Sequence, residues 1–104
     1  MVCKSMFKLG NHREYYCEIT EELDRICGYA PDRPRNYIVD TRDVWKNCIA
    51  IRVPGRTTGC IRIDKNNNII SCVIADDCCG EGKRYPADIN ETLKKYIGVK
   101  LELK

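Results

Sequence analysis

Three groups of residues in this chain have the types and spacing to do chemistry. They are the cysteines Cys72, Cys78 and Cys79, the single histidine His12, and a set of cations, Lys46, Arg52, Arg56, Arg62 and Lys65, spread along an alternating apolar stretch. Zinc sites present ligand pairs separated by two to four residues, so that both donors reach one ion. Cys78 and Cys79 are adjacent and chelate poorly, and His12 would complete a mixed site only through folding proximity. A nucleophilic thiol is the other chemistry on offer. Cys79 precedes Gly80-Glu81-Gly82, and Lys83-Arg84 would lower its pKa, but Asp76, Asp77 and Glu81 lie as close in sequence and would raise it. Its base would again have to be His12. A thiol-redox or zinc-binding protein using Cys72, Cys78 and Cys79 is therefore the lesser alternative, and no metal or cofactor is expected.

Glycine loops offer less. Gly80-Glu81-Gly82-Lys83 lacks the spacing of a Walker loop, and Pro54-Gly55-Arg56-Thr57-Thr58-Gly59 is followed by no helix whose positive end could hold a phosphate. The carboxylate pairs Glu21/Glu22 and Asp76/Asp77 are chain neighbours that point apart, which suits caps and solvent. No enzymatic constellation emerges, and the protein is expected to act without catalysis.

The cations depend on the elements that position them. Ile49, Ile51 and Val53 alternate with Cys48, Ala50 and Arg52; Ile61 and Ile63 alternate with Cys60, Arg62 and Asp64; Ile70, Cys72 and Ile74 alternate with Ile69, Ser71 and Val73. This is the period of strands with two unlike faces. Pro54-Gly55 with Gly59 marks one reversal and Asp64 to Asn68 the next, because Gly and Asn accept the positive φ of hairpin turns. With Ile63 opposite Ile70 and Ile61 opposite Cys72, residues 47–75 form a three-stranded antiparallel meander. Arg52 and Arg62 then project from its second face, with Lys46, Arg56 and Lys65 at the edges, around Cys48, Ala50 and Val73. No aromatic is interleaved there, as a single-strand stacking platform would require.

Around the meander, Cys3, Phe7 and Leu9 alternate as a weak strand ending at Gly10-Asn11. Residues 12–20 suit either a helix capped at Asn11 or a strand through Tyr15, Tyr16, Cys17 and Ile19. In the preferred strand reading Thr20 caps a short helix, Glu21 to Cys27, that stops at Gly28. Tyr29 to Asn36, with two prolines, reads as an exposed loop. Tyr37-Ile38-Val39 is a short strand, after which Asp40 or Thr41 caps one helical turn carrying Val44 and Trp45 toward the sheet. Asp88-Ile89-Asn90-Glu91 has the form of a capping box before Ile89, Leu93, Tyr96 and Ile97. Val99, Leu101 and Leu103 alternate as a last strand. The sum is an α+β domain: an antiparallel sheet of about five to six strands built on the meander, with one or two helices packed on one face.

A chain of 104 residues is expected to be one domain that buries roughly two-thirds of the surface of its unfolded form. Its net charge of +3 is mildly basic, too weak to argue for nucleic acid without a clustered patch. The first residues hold no apolar run of signal-peptide length, and nothing approaches the roughly 20 apolar residues of a membrane span. A cytoplasmic protein with no membrane contact is the expectation. Its eight cysteines are read mostly as free thiols at ordinary strand and helix positions, as a reducing cytosol would have them. The functional expectation is a small accessory or regulatory factor that binds a macromolecule, most simply a protein. Its contacts would come from the basic face or the loops Pro31 to Arg35 and Asp76 to Arg84. Compact chains of this kind are frequent on phages and mobile elements, where they inhibit host machinery. A nucleic-acid binder using the same basic face is the alternative.

Overall fold

The computed structural model describes residues 1–30, 32–53, 55–75, 85–86 and 88–104. The alternating apolar stretch forms three strands, β4 (Cys48–Val53), β5 (Arg56–Ile63) and β6 (Ile69–Ile74). Ahead of them come β1 (Val2–Leu9), β2 (His12–Tyr16), helix α1 (Glu18–Cys27) and β3 (Tyr37–Asp40). After them come a short helix α2 (Ile89–Leu93), a 3-10 turn (Lys94–Tyr96) and β7 (Glu102–Leu103). The fold is α+β, with one seven-stranded sheet in the order β6-β5-β4-β3-β2-β1-β7. All neighbours are antiparallel except β1 and β7, which run parallel over two residues.

One face of this sheet is the core. Ile38 lies opposite Ile51, Ile49 opposite Ile61, and Ile61 opposite Cys72. Ile19, Leu23 and Cys27 of α1 and Ile89 and Leu93 of α2 pack into the same apolar cluster. An aliphatic side chain removed from water in this way contributes about 1.5–3 kcal/mol, which is why the alternation decides the register. Val39, Cys48 and Ala50 are buried too, but outside that cluster, on the reverse side of the sheet.

Three β-bulges break the simple alternation. On β1 the register shifts between Ser5 and Phe7, so Cys3 faces the core while Phe7 and Leu9 share the other face with Glu14 and His12. Their expected common side with Cys3 is thereby corrected. On β6 Ile63 pairs with Ile69 and not with Ile70, and the displaced Ile70 is exposed. On β5 Thr58 is the extra residue between the Ile51–Gly59 and Arg52–Thr57 rungs, and its hydroxyl donates to the Ile51 carbonyl at 3.1 Å. Gly59 therefore belongs to the strand and not to the turn. A Cβ there would come within 2.4 Å of the Val73 carbonyl oxygen, so the position admits no side chain.

Residues 12–16 are strand, but the helix begins earlier than Thr20. Cys17 is the N-cap, its sulfur accepting the N–H of Thr20, while its own N–H donates to the Thr20 hydroxyl at 2.8 Å. Thr20 fills the role a Glu or Gln plays in the usual capping box. The segment after Asp40 forms turns and no helix, leaving Val44 and Trp45 77% and 46% exposed. Asp40 is engaged by Arg42, and the Thr41 hydroxyl donates to the Cys48 carbonyl at 2.7 Å, so neither caps a helix. The loop before β3 is pinned at its end: Asn36 is wholly buried and donates both its N–H and its Nδ2 to Asp24 Oδ1, at 2.9 and 2.7 Å. Tyr85 in turn donates its hydroxyl to Asn36 Oδ1 at 2.6 Å.

The capping box expected at Asp88 and Glu91 does not form: Asp88 makes no side-chain cap bond, and Glu91 accepts instead from Lys94 Nζ at 2.7 Å. Asn90, between them, is engaged at the β6 margin. Its amide oxygen accepts the Ile74 N–H at 2.9 Å and its Nδ2 donates to the Ile74 carbonyl at 3.2 Å, as a neighbouring strand would. Farther along, Ile69 donates to the Val99 carbonyl and accepts from Gly98 N–H.

Candidate interaction face

The face opposite the helices is set out by the cross-strand rungs. One rung runs Phe7, Glu14, Val39, Ala50, Cys60, Val73; a second runs Tyr37, Arg52, Thr57; a third runs Cys48, Arg62, Ser71. Small or branched residues fill the middle, which lets longer neighbours lie over them. Arg52 is only partly exposed and its Nε is buried, so its stem is packed along the sheet. Phe7, Leu9 and Val73 stay open to solvent, 47%, 71% and 54% exposed.

Arg52 and Arg62 do share this face, as the alternation implies. They stand four residues apart along β4, which at about 3.3 Å per residue is roughly 13 Å. The five cations are not one cluster. Lys46 and Lys65 lie in the turns at the Arg62 end, which meet where Ile63 N–H donates to the Asn47 carbonyl at 3.0 Å. Arg56 pairs with Val53 at the opposite end, and since its neighbour Thr57 stands beside Arg52, its own side chain belongs to the other side of the strand. Two cationic ends thus flank an apolar middle.

Sequence reasoning missed the aromatics on this face. Tyr37 is the direct neighbour of Arg52; continuing the β2–β3 register sets the Tyr16 backbone beside Tyr37, with its phenol reaching round to Asp24 of α1. Burial holds the Tyr37 phenol above its ordinary pKa, helped by Glu14 and opposed by Arg52. Tyr16 is pushed up to about 12 by burial and by the Asp24 carboxylate. The parity of Ile38 would have put Tyr37 on this side; Tyr16 depended on knowing that β2 and β3 are neighbours.

The other candidate groups do not meet. Cys72 lies in the core, whereas His12 sits on the far face of the β1–β2 hairpin, its Nε2 3.1 Å from Glu14 Oε1 and its ring edge-on to Phe7. Cys78, Cys79 and the Asp76 to Arg84 loop fall outside the described residues, as does Pro31. Among the described residues no group of three or more His, Cys, Asp or Glu side chains is placed to hold a metal ion.

The thiols divide. Cys3, Cys17 and Cys72 are free and buried. Cys48 and Cys60, on adjacent strands with Cα atoms 6.2 Å apart, are joined as a disulfide, and Cys27 is also disulfide-bonded. The expectation of mostly free thiols fails at those three positions. For Cys48 and Cys60 the cause is that both project from the same face at a separation a disulfide spans.

A polar cavity of about 380 Å³ opens on the core side of the hairpin, between Arg13, Asp40 and Arg42. Of its two arginines, Arg42 is committed internally. Arg42 forks onto both Asp40 carboxylate oxygens and also reaches Asn67 Oδ1 at 3.1 Å. Burial raises the Asp40 carboxyl, but the fork outweighs it and leaves the group below its ordinary value. This cavity therefore offers no free charge to a ligand through Arg42. Among the described residues, no helix is long and apolar enough to cross a membrane. No family model matches this chain, and no curated protein or solved structure matches it significantly.

Proposed function

We propose that this protein acts by binding a protein partner through the sheet face that carries Arg52 and Arg62. One observation supports this above the rest. An antiparallel sheet covered by helices on one side presents, on the other, Arg52 and Arg62 with exposed Val73 next to the Arg62 rung, and exposed Phe7 and Leu9 farther out on β1. Exposed apolar groups rimmed by charge are the ordinary makeup of a docking surface. The cationic ends favour a partner with carboxylates spaced around an apolar patch. A phage or mobile-element inhibitor of host machinery would act in this way.

The test is capture of a partner by the wild-type chain and by the double variant Arg52→Glu/Arg62→Glu. Loss of capture with an unchanged circular dichroism spectrum and melting temperature is expected. Undiminished capture would remove this face from the proposal. Tyr37 beside Arg52 favours a second reading, single-stranded nucleic acid stacked on that ring. That reading requires retention on an oligonucleotide that weakens steeply with salt and is lost in Tyr37→Ala.

A further inference from the structure

We propose that Cys3 and Cys17 form a redox-active dithiol, a site that takes a small-molecule disulfide as oxidant and closes to an internal disulfide between β1 and the start of α1. The strand register carries this inference. Lys4 lies opposite Tyr16 in the antiparallel β1–β2 pair, so the next rung sets Cys3 opposite Cys17. The Cys3 carbonyl accepts the Lys104 N–H at 2.8 Å on the β7 side. Its backbone groups therefore point away from β2, and the Cys3–Cys17 rung is a non-hydrogen-bonded one. In such rungs the Cα atoms approach to about 4.5 Å and the side chains are nearest, which falls inside the roughly 4.4–6.8 Å that a disulfide spans. Both thiols are free and belong to the same core cluster.

The two sulfurs differ in character. Cys17 stands at the N-terminus of a ten-residue helix, where its sulfur accepts the Thr20 N–H. The Cys3 thiol also donates to it; with the Thr20 and Ile19 N–H groups, this outweighs burial and pulls Cys17 below the usual thiol range. Cys3, as the donor, is correspondingly raised. Cys72, the third free thiol among the described residues, is pushed up to about 12 by burial and then by the charge of Cys17. Cys17 is the attacking thiolate, Cys3 resolves, and Cys72 stands by.

Access comes from the β1 side. A cavity of about 310 Å³ lined by Met1, Glu18, Lys95, Tyr96 and Val99 opens beside the residue that follows Cys17. On its outer side the 1–5 segment is held by bonds of Met1, Cys3 and Ser5 to residues 100–104, and the proposed access requires local opening of this terminal pairing. The Cys17 thiolate attacks one sulfur of the small disulfide and expels the first thiolate. Cys3 then loses its proton and attacks the Cys17 sulfur of the mixed disulfide, expelling the second. The two expelled thiolates take up the two protons, so the dithiol is oxidised and the small disulfide is reduced to two thiols.

The experiment incubates reduced protein with glutathione disulfide, quenches with N-ethylmaleimide and digests with trypsin under non-reducing conditions. The expected product is the peptide Met1–Lys4 joined to Glu14–Arg25, two hydrogens lighter than the separate reduced peptides. Cys3→Ser should strand a glutathione mixed disulfide on Cys17. Cys17→Ser should lose both the link and the adduct, while serine keeps an N-cap on α1. The proposal is overturned if wild type gives no such linked peptide, if Cys17 is found joined to Cys72, or if Cys3 takes up glutathione equally well in Cys17→Ser.

Discussion

Replacing Asp24 by alanine should cost this protein about 4 kcal/mol, and the figure can be built from its bonds. Asp24 is 1% exposed, and its Oδ1 accepts from Asn36 N–H at 2.9 Å, Asn36 Nδ2 at 2.7 Å and Arg35 N–H at 3.2 Å. Asn36 is wholly buried, so its two donors would be left without an acceptor and without water. Each such orphan costs about 1–3 kcal/mol, and the longer, partly buried Arg35 bond adds less. Asp24→Asn keeps one acceptor oxygen of the same shape and loses mainly the charge assistance, so about 1–2 kcal/mol is expected. Against a total stability of about 5–15 kcal/mol the alanine variant is severe but can still fold. Urea unfolding followed by tryptophan fluorescence measures it. With a slope near 2 kcal/mol per molar, the alanine midpoint should fall by about 2 M and the asparagine midpoint by less than about 1 M. The reasoning fails if Asp24→Ala costs under about 1 kcal/mol, or if Asp24→Asn costs as much as Asp24→Ala.

Gly59→Ala drives a methyl to 2.4 Å from the Val73 carbonyl and should destabilise by about 1–3 kcal/mol, read as a lowered melting temperature; an unchanged melt would show that β5 and β6 separate freely there. At low pH the depressed carboxyls of Glu22 and Asp40 govern. In Glu22 burial is outweighed by the bonds from Lys95 and Tyr96. Their contribution is complete above the ordinary values of 4.5 and 3.8 and is lost as pH falls through the lower folded ones, so urea midpoints should drop on acidification below that range and stay level just above it. On the alkaline side Tyr16, raised from 10.0 to about 12, contributes stability that is present below 10 and lost as pH climbs through 12; Tyr16→Phe should flatten that limb. Asn90→Ala removes both bonds to Ile74 and should cost about 1–2 kcal/mol, with hydrogen exchange at the Ile74 amide accelerated well beyond that of Ile61.

How far this fold could be read in the sequence was decided by its bulges. Ile49, Ile51, Ile61 and Cys72 alternate without interruption, and the meander they imply is present with Ile61 opposite Cys72. Where one residue was inserted into a strand, the parity reversed beyond it, and Phe7, Leu9 and Ile70 ended on sides that alternation alone does not give. A bulge carries no residue signature comparable to Asn67, whose φ of 65° was announced by the Asp64 to Asn68 turn. The site was legible in the same proportion. Arg52 and Arg62 share a face because no insertion separates Cys48 from Arg52 on β4, while the extra residue Thr58 turns Arg56 to the other side and Lys65 sits in the turn after β5. Tyr16 was out of reach, since its place depends on a strand order that local pattern does not encode.

Asn90 has an effect larger than its two bonds. By impersonating a strand at Ile74, with Val99 and Gly98 occupying Ile69, it closes one flank of the sheet to any incoming chain. Recruitment of a second molecule by edge pairing is then confined to the flank where β1 and β7 run. A body with a single joining flank can couple into a closed two-fold pair but cannot propagate, so the architecture favours finite assembly over fibre growth.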